Sequence, residues 1–189
     1  MAAVAHHEDL SPADRLRANR LGLWLFIASE SFLFSAAIAS RYYLLGFERA
    51  EDLNQLLGLA ITSVLLLSSL TAYMAETAIA AGDQHGMRRF LLLTIALGLV
   101  FVGGVAYEWS EAFAHFPPGT LFGTVFFTLT GLHAFHVITG LLAMTSAWWV
   151  GRDGRWSAES HWPVEGVVKY WHFVDVVWVF VFPTLYLLH

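Results

Sequence analysis

The sequence predicts an all-α integral membrane bundle of five transmembrane helices, with the N-terminus inside and the C-terminus outside. Three observations carry that prediction. Of 189 residues, 57% are hydrophobic and 13% charged, where a soluble domain carries roughly 25% charged residues. The mean hydropathy is +0.59. Five apolar stretches, each long enough to cross a hydrocarbon core of ~30 Å, are separated by short polar breaks.

Residues 1–19, "MAAVAHHEDLSPADRLRAN", form a polar N-terminal segment. It has no apolar central region and no small-residue cleavage site, so no removable signal peptide is expected. The rest, 20–189, is expected to be a single five-helix domain. The first helix spans about 20–45 and stops at "GFERAEDLN". The second spans about 55–81 and stops at "AGDQHGMRR". The third, about 89–113, ends at "AHFPPGT", where paired prolines and a glycine break the helix. The fourth covers about 121–150 and is followed by "GRDGRWSAESHWPVEG". The fifth covers about 166–188.

The orientation follows from the arginines and lysines. Arg15, Arg17, Arg20, Arg88, Arg89, Arg152, Arg155 and Lys169 fall at one side of a five-span bundle, and Arg41 and Arg49 at the other. The first group marks the inside. Small residues recur at helical spacing: Ser31, Ser35 and Ala39; Ser68, Ala72, Glu76 and Ala80; Gly104, Glu108 and Ala112. Such stripes let membrane helices approach closely. The chain has no cysteine, which excludes disulfides, thiolate zinc sites, iron–sulfur clusters and covalently attached haem. A net charge of −5 without a basic tract argues against nucleic acid as a partner.

Ionisable groups inside apolar helices are functional candidates, because placing them there is costly. They are Glu30, Glu76, Glu108, His133, His136, His172 and Asp175. Glu30 lies about ten residues into the first helix, or ~15 Å from its inner end. Its same-face neighbours Phe26, Ile27, Leu33 and Phe34 offer no partner, and burial favours the neutral acid. Two readings stand: a proton-exchanging carboxyl, or one hydrogen-bonded to another helix. Glu76, near the inner end of its helix, is expected to reach interfacial water or Arg88 and Arg89. Glu108 shares a face with Gly104 and Ala112 and is expected to meet a buried partner.

His133 and His136 are three apart and share a helix face, as do His172 and Asp175. Spacing alone admits a metal site from the two pairs or a bis-histidine haem. It equally admits interhelical hydrogen bonding or contact with a lipid headgroup. In "KYWHFVDVVWVF", Asp175 lies one turn from His172 and can orient its imidazole. Trp171 and Trp178 flank that carboxylate and shield it from lipid, while Lys169 continues the same face toward the inner surface.

Five ordered segments carry a family resemblance: "LGLWLFIASESFLF", "SSLTAYMAE", "RFLLLTIALGLVFVGGVAYEW", "FFTLTGLHAFHVITGL" and "YWHFVDVVWVFVF". In order and spacing they resemble the haem-copper oxidase subunit III family, that is, cytochrome c oxidase subunit III, over nearly all of 20–188. The resemblance implies a noncatalytic subunit of a respiratory terminal oxidase in a bacterial plasma membrane. Such a subunit packs directly against subunit I, beside subunit II and further small subunits. Haems and copper then belong to those partners and none to this chain. The resemblance also places Glu30 at the carbodiimide-reactive position, implies a role in sustaining proton uptake and protecting the oxygen-reducing site, and implies bound phospholipid. Many members have seven helices, and the matches here begin at the third, which puts the lipid cleft between the first two helices and the rest in question. The alternatives are a quinol oxidase subunit III, a nitric-oxide-reductase accessory protein, a free-standing haem b protein and a small proton-coupled transporter. Five helices without inverted halves fit the last poorly.

Overall fold

A computed structural model of the chain describes residues 11–47 and 53–187. Arg49 and the C-terminal His189 lie outside the described residues. Five α-helices run in order: α1 (Pro12–Leu45), α2 (Gln55–Ala80), α3 (Gln84–His115), α4 (Leu121–Val150) and α5 (Trp162–Tyr186), with a 3-10 turn at Gly151–Asp153. All five are long and apolar enough to cross a membrane.

Three helices start earlier than polarity alone suggests, and local chemistry explains each. In α1, Ser11 caps the helix by accepting from the Asp14 amide and Pro12 occupies the first turn, where its missing N–H costs nothing. At α3, the Asp83 side chain accepts from the Gly86 amide, so helix begins at Gln84. At α5, Pro163 sits in the first turn. These turns are polar or interfacial, so hydropathy does not mark them. With 34 residues, α1 extends about 51 Å at ~1.5 Å per residue, well beyond the hydrocarbon thickness. At α4 the Thr120 hydroxyl accepts from the Gly123 amide, in agreement with the start expected at 121.

The most extensive packing is between the antiparallel neighbours α2 and α3. Helix α4 lies on α3 and α5, α5 also packs on α2, and α1 rests on α5 and α4 from outside. The seam is tight where glycines meet large rings. A Cβ on Gly98 would come 2.9 Å from the Trp171 ring, and one on Gly140 2.8 Å from it. Trp171 is thus seated between α3 and α4, fully buried. Gly104 leaves room only for Ile61 of α2.

The small-residue stripes divide. Ser68 and Ala72 in α2, and Glu108 and Ala112 in α3, are buried at helix contacts as expected. Ser31, Ser35 and Ala39 of α1 are exposed instead. The packed face of α1 is formed by Ile27, Phe34, Ala37, Ile38 and Arg41. Small size permits close approach but does not choose the face. That choice follows here from Phe34, which packs edge-on to His136 at 5.0 Å and Phe173 at 6.4 Å.

Candidate functional site

The titratable side chains within the helices fall into four contacts rather than one centre. The first joins α1 to α4. His136 is buried, and its Nδ1 lies 2.8 Å from the Leu132 carbonyl one turn back. A carbonyl only accepts, so Nδ1 carries a proton. Nε2 then faces Oε2 of Glu30 at 3.1 Å. Either Nε2 is bare and accepts from the neutral acid, or it is protonated and donates to the carboxylate. Both forms hold a single proton between the two groups and carry no net charge, so exchange between them moves no charge onto lipid. The Tyr170 hydroxyl donates to the His136 carbonyl at 3.2 Å, which fastens α5 to the same place.

The second contact is His133. It is fully buried, its ring 4.6 Å from Trp178 and 5.7 Å from Phe101. Neither ring nitrogen meets a hydrogen-bond partner. His133 and His136 share a helix face in the broad sense but look into different surroundings, one aromatic and one acidic.

The third contact runs along α2 and α5. At the arginine-rich end, Arg20 donates twice to Glu165, Nε to Oε1 at 3.1 Å and Nη2 to Oε2 at 3.0 Å. Lys169 donates to Glu165 at 2.8 Å and to Glu76 at 3.1 Å. One turn deeper, Nδ1 of His172 is 2.6 Å from the Ser69 hydroxyl. The Trp171 indole donates to Ser68 at 2.9 Å and that of Trp178 to Thr62 at 2.8 Å. Asp175 is buried within this seam. The Ser69 hydroxyl interacts with it, but neither carboxyl oxygen reaches hydrogen-bond geometry.

The fourth contact is at the opposite end. The Tyr186 hydroxyl donates to Oε2 of Glu108 at 2.5 Å, and the Gln55 amide donates to the Tyr186 carbonyl at 2.8 Å. Both Glu108 and Tyr186 are buried. This is the interhelical partner expected for Glu108.

Three expectations change. Glu76 pairs with Lys169 of α5, not with Arg88 or Arg89, because the two helices lie side by side at that level. His172 is held by Ser69, and Asp175 does not orient it. Trp171 and Trp178 bond α2 through their indoles instead of merely screening a carboxylate. Sequence reasoning also passed over Glu165 and its bond from Arg20. The signal was present, since a glutamate four residues before Lys169 is a favourable helix pair.

A metal reading of the two pairs is not built by this fold. Among the described residues no group of three or more His, Asp or Glu side chains is gathered as a metal ion requires. Of the histidines a bis-histidine haem would use, His136 has both ring nitrogens engaged, by the Leu132 carbonyl and by Glu30. Outside the spans, the Ser157 hydroxyl donates to Glu159 at 2.9 Å and holds that carboxyl below its ordinary range.

An open apolar cleft of about 590 Å³ separates α1 from α4 and α5, lined by Leu23, Phe26, Ala143, Trp162, Val167 and Tyr170. Next to it, sharing Trp162, is a polar hollow of about 560 Å³ with Arg15, Asn19, Arg20 and His161.

Five helices long and apolar enough to span a membrane, tied by polar pairs between them and, among the described residues, without gathered metal ligands, define a multi-pass membrane protein. The family model of cytochrome c oxidase subunit III matches residues 13–189. The chain is similar to the cytochrome c oxidase subunit 3 of Thermostichus vulcanus, 33% identical over 174 residues, covering 89% of this chain and 86% of that protein. It is 36% identical over 177 residues to that of Synechocystis, covering 88% and 74%. It is 34% identical over 202 residues to that of Corynebacterium diphtheriae, covering 98% of each. The chain belongs to the cytochrome c oxidase subunit III family, in a five-helix form.

Proposed function

We propose that the chain is the noncatalytic third subunit of a respiratory cytochrome c oxidase in a bacterial plasma membrane. It packs against the catalytic subunit I, with subunit II and further small subunits completing the complex. Its arginine-rich end faces the cytoplasm, in keeping with the positive-inside rule. The observation that carries this reading is the family match along the whole bundle. All the named relatives described above are cytochrome c oxidase subunits, which favours cytochrome c over a quinol as the donor to the complex. The haems and copper reside in the partner subunits.

Within that assembly, the Glu30–His136 pair is the proton-exchanging element of this chain. Glu30 is partly exposed on α1 while His136 is buried behind it. A proton taken up by the Glu30 carboxylate turns a pair of charge −1 into a neutral one, and its further movement from Oε2 to His136 Nε2 leaves that net charge unchanged. The cleft between α1 and α4/α5 takes a phospholipid acyl chain, with its headgroup among Arg15, Arg20 and His161. That lipid occupies the side of α1 that the bundle leaves open.

Affinity purification of the chain from its own membranes in mild detergent tests the assignment. The expected result is co-purification of a haem- and copper-bearing subunit in equal stoichiometry. Isolation of the chain free of any haem-bearing partner, with oxidase activity elsewhere in the eluate, would overturn it.

A further inference from the structure

The arginine-rich end holds a second polar hollow, which shares no lining residue with the α1 cleft. It lies between the start of α3 and the end of α4, about 170 Å³ in volume, and is lined by His85, Arg88, Arg89, Leu92 and Trp148. No acidic side chain lines it. The nearest helix-capping carboxylate, Asp83, is committed to the Gly86 amide at 2.8 Å. Among the described residues no carboxylate pairs with Arg88 or Arg89.

Two donors there stand out. The Arg88 guanidinium lies 5.3 Å over the Trp148 ring, which fixes its plane. Arg88 Nε and Trp148 Nε1 are both buried and neither meets an acceptor on the protein. Buried N–H groups are almost always satisfied. Two unsatisfied donors beside a second arginine and a histidine describe a recognition site for an oxygen-rich anion. Guanidinium forks match phosphate oxygens in particular. Continuing from Arg88 at helical spacing, Leu92, Ile95 and Leu99 form an apolar strip on α3, with Leu92 and Leu99 exposed. A charged pocket at the surface that runs into an apolar strip toward the membrane interior has the polarity profile of a phospholipid.

We propose that Arg88, Arg89, His85 and Trp148 bind the phosphate of an anionic phospholipid, whose acyl chain lies along Leu92, Ile95 and Leu99. The site is separate from the cleft beside α1, and it does not depend on the identity of the oxidase partners. Arg88 Nε and Trp148 Nε1 donate to the phosphodiester oxygens, Arg89 supplies the second charge, and the ring of Trp148 closes the hollow. The net positive charge of the pocket favours an anionic lipid over a zwitterionic one.

The test is native mass spectrometry of the full chain, purified in detergent and titrated with phosphatidylglycerol or phosphatidylcholine. The expected result is phosphatidylglycerol binding at least roughly tenfold tighter than phosphatidylcholine, the size of one charge-assisted hydrogen bond. R88Q/R89Q removes that preference, and W148F, which keeps the aromatic ring but loses the N–H, weakens it several-fold. If R88Q/R89Q does not fold, R89Q and W148F carry the test, since Arg89 is exposed. Equal retention of phosphatidylglycerol by the chain, R89Q and W148F overturns the proposal. Displacement of phosphatidylglycerol by millimolar inorganic phosphate would assign the pocket to a free anion and overturn the lipid assignment.

Discussion

At the scale of single residues, the decisive question for each buried ionisable group is whether it has a partner. Glu30 has His136, Glu108 has Tyr186, and His172 has Ser69. Hydrogen bonds between membrane helices average roughly 0.6 kcal/mol and reach ~1.7, but leaving a buried partner stranded costs about 1–3 kcal/mol. Tyr186→Phe leaves Glu108 buried with no donor at Oε2, so it is expected to lower stability by about 1–3 kcal/mol, measured by thermal unfolding in detergent. Glu30→Gln keeps a side chain that can donate to His136 Nε2. The oxidase is therefore expected to assemble, while turnover at neutral pH slows because the amide cannot exchange a proton. Failed assembly in that variant would make Glu30 structural. Asp175 behaves differently. With no hydrogen-bond geometry to keep, Asp175→Leu exchanges a buried polar group for an apolar one of similar size, and stability is expected to be unchanged or raised. His172→Leu loses the Ser69 bond and is expected to weaken the α2–α5 contact, read as a lower unfolding temperature of the assembled complex.

At the scale of the helix, hydropathy located every span, and all five ordered segments that carry the family likeness fall within helices throughout. The starts of α1, α3 and α5 were set by Ser11 with Pro12, by Asp83 and by Pro163, features of capping that a hydropathy window averages away. Which face a helix buries was less legible. The Ser31/Ser35/Ala39 stripe of α1 is exposed, whereas Phe34 and Ile38 pack, because bulk that fits a neighbouring groove outweighs smallness. Partners across helices were out of reach of one sequence. Glu30 and His136 are 106 residues apart, Arg20 and Glu165 145 apart, and periodicity relates only positions on one helix. Trp171 shows how steric fit sets the α3–α4–α5 arrangement. Gly140→Val places atoms into the Trp171 ring and is expected to cost about 1–3 kcal/mol, as overpacking does. An unfolding temperature equal to that of the unsubstituted protein would show that this seam can yield.

At the scale of the whole molecule, several ionisable groups join neighbouring helices, and one such pair, Glu30–His136, lies at the lightly covered helix α1. Such an arrangement suits the proposed role of a subunit that supports chemistry performed elsewhere. It also explains why spacing suggested ligands: His-x-x-His and His-x-x-Asp pairs serve interhelical contacts as readily as metals, and only the fold shows that they face different neighbours. The most direct measurement is the visible absorption spectrum of the full chain purified by itself, compared with the complex from which it came. Haem absorption is expected to belong entirely to the complex, and the isolated chain is expected to have no Soret band. A stoichiometric Soret band in the isolated chain, lost in His172→Ala, would contradict it.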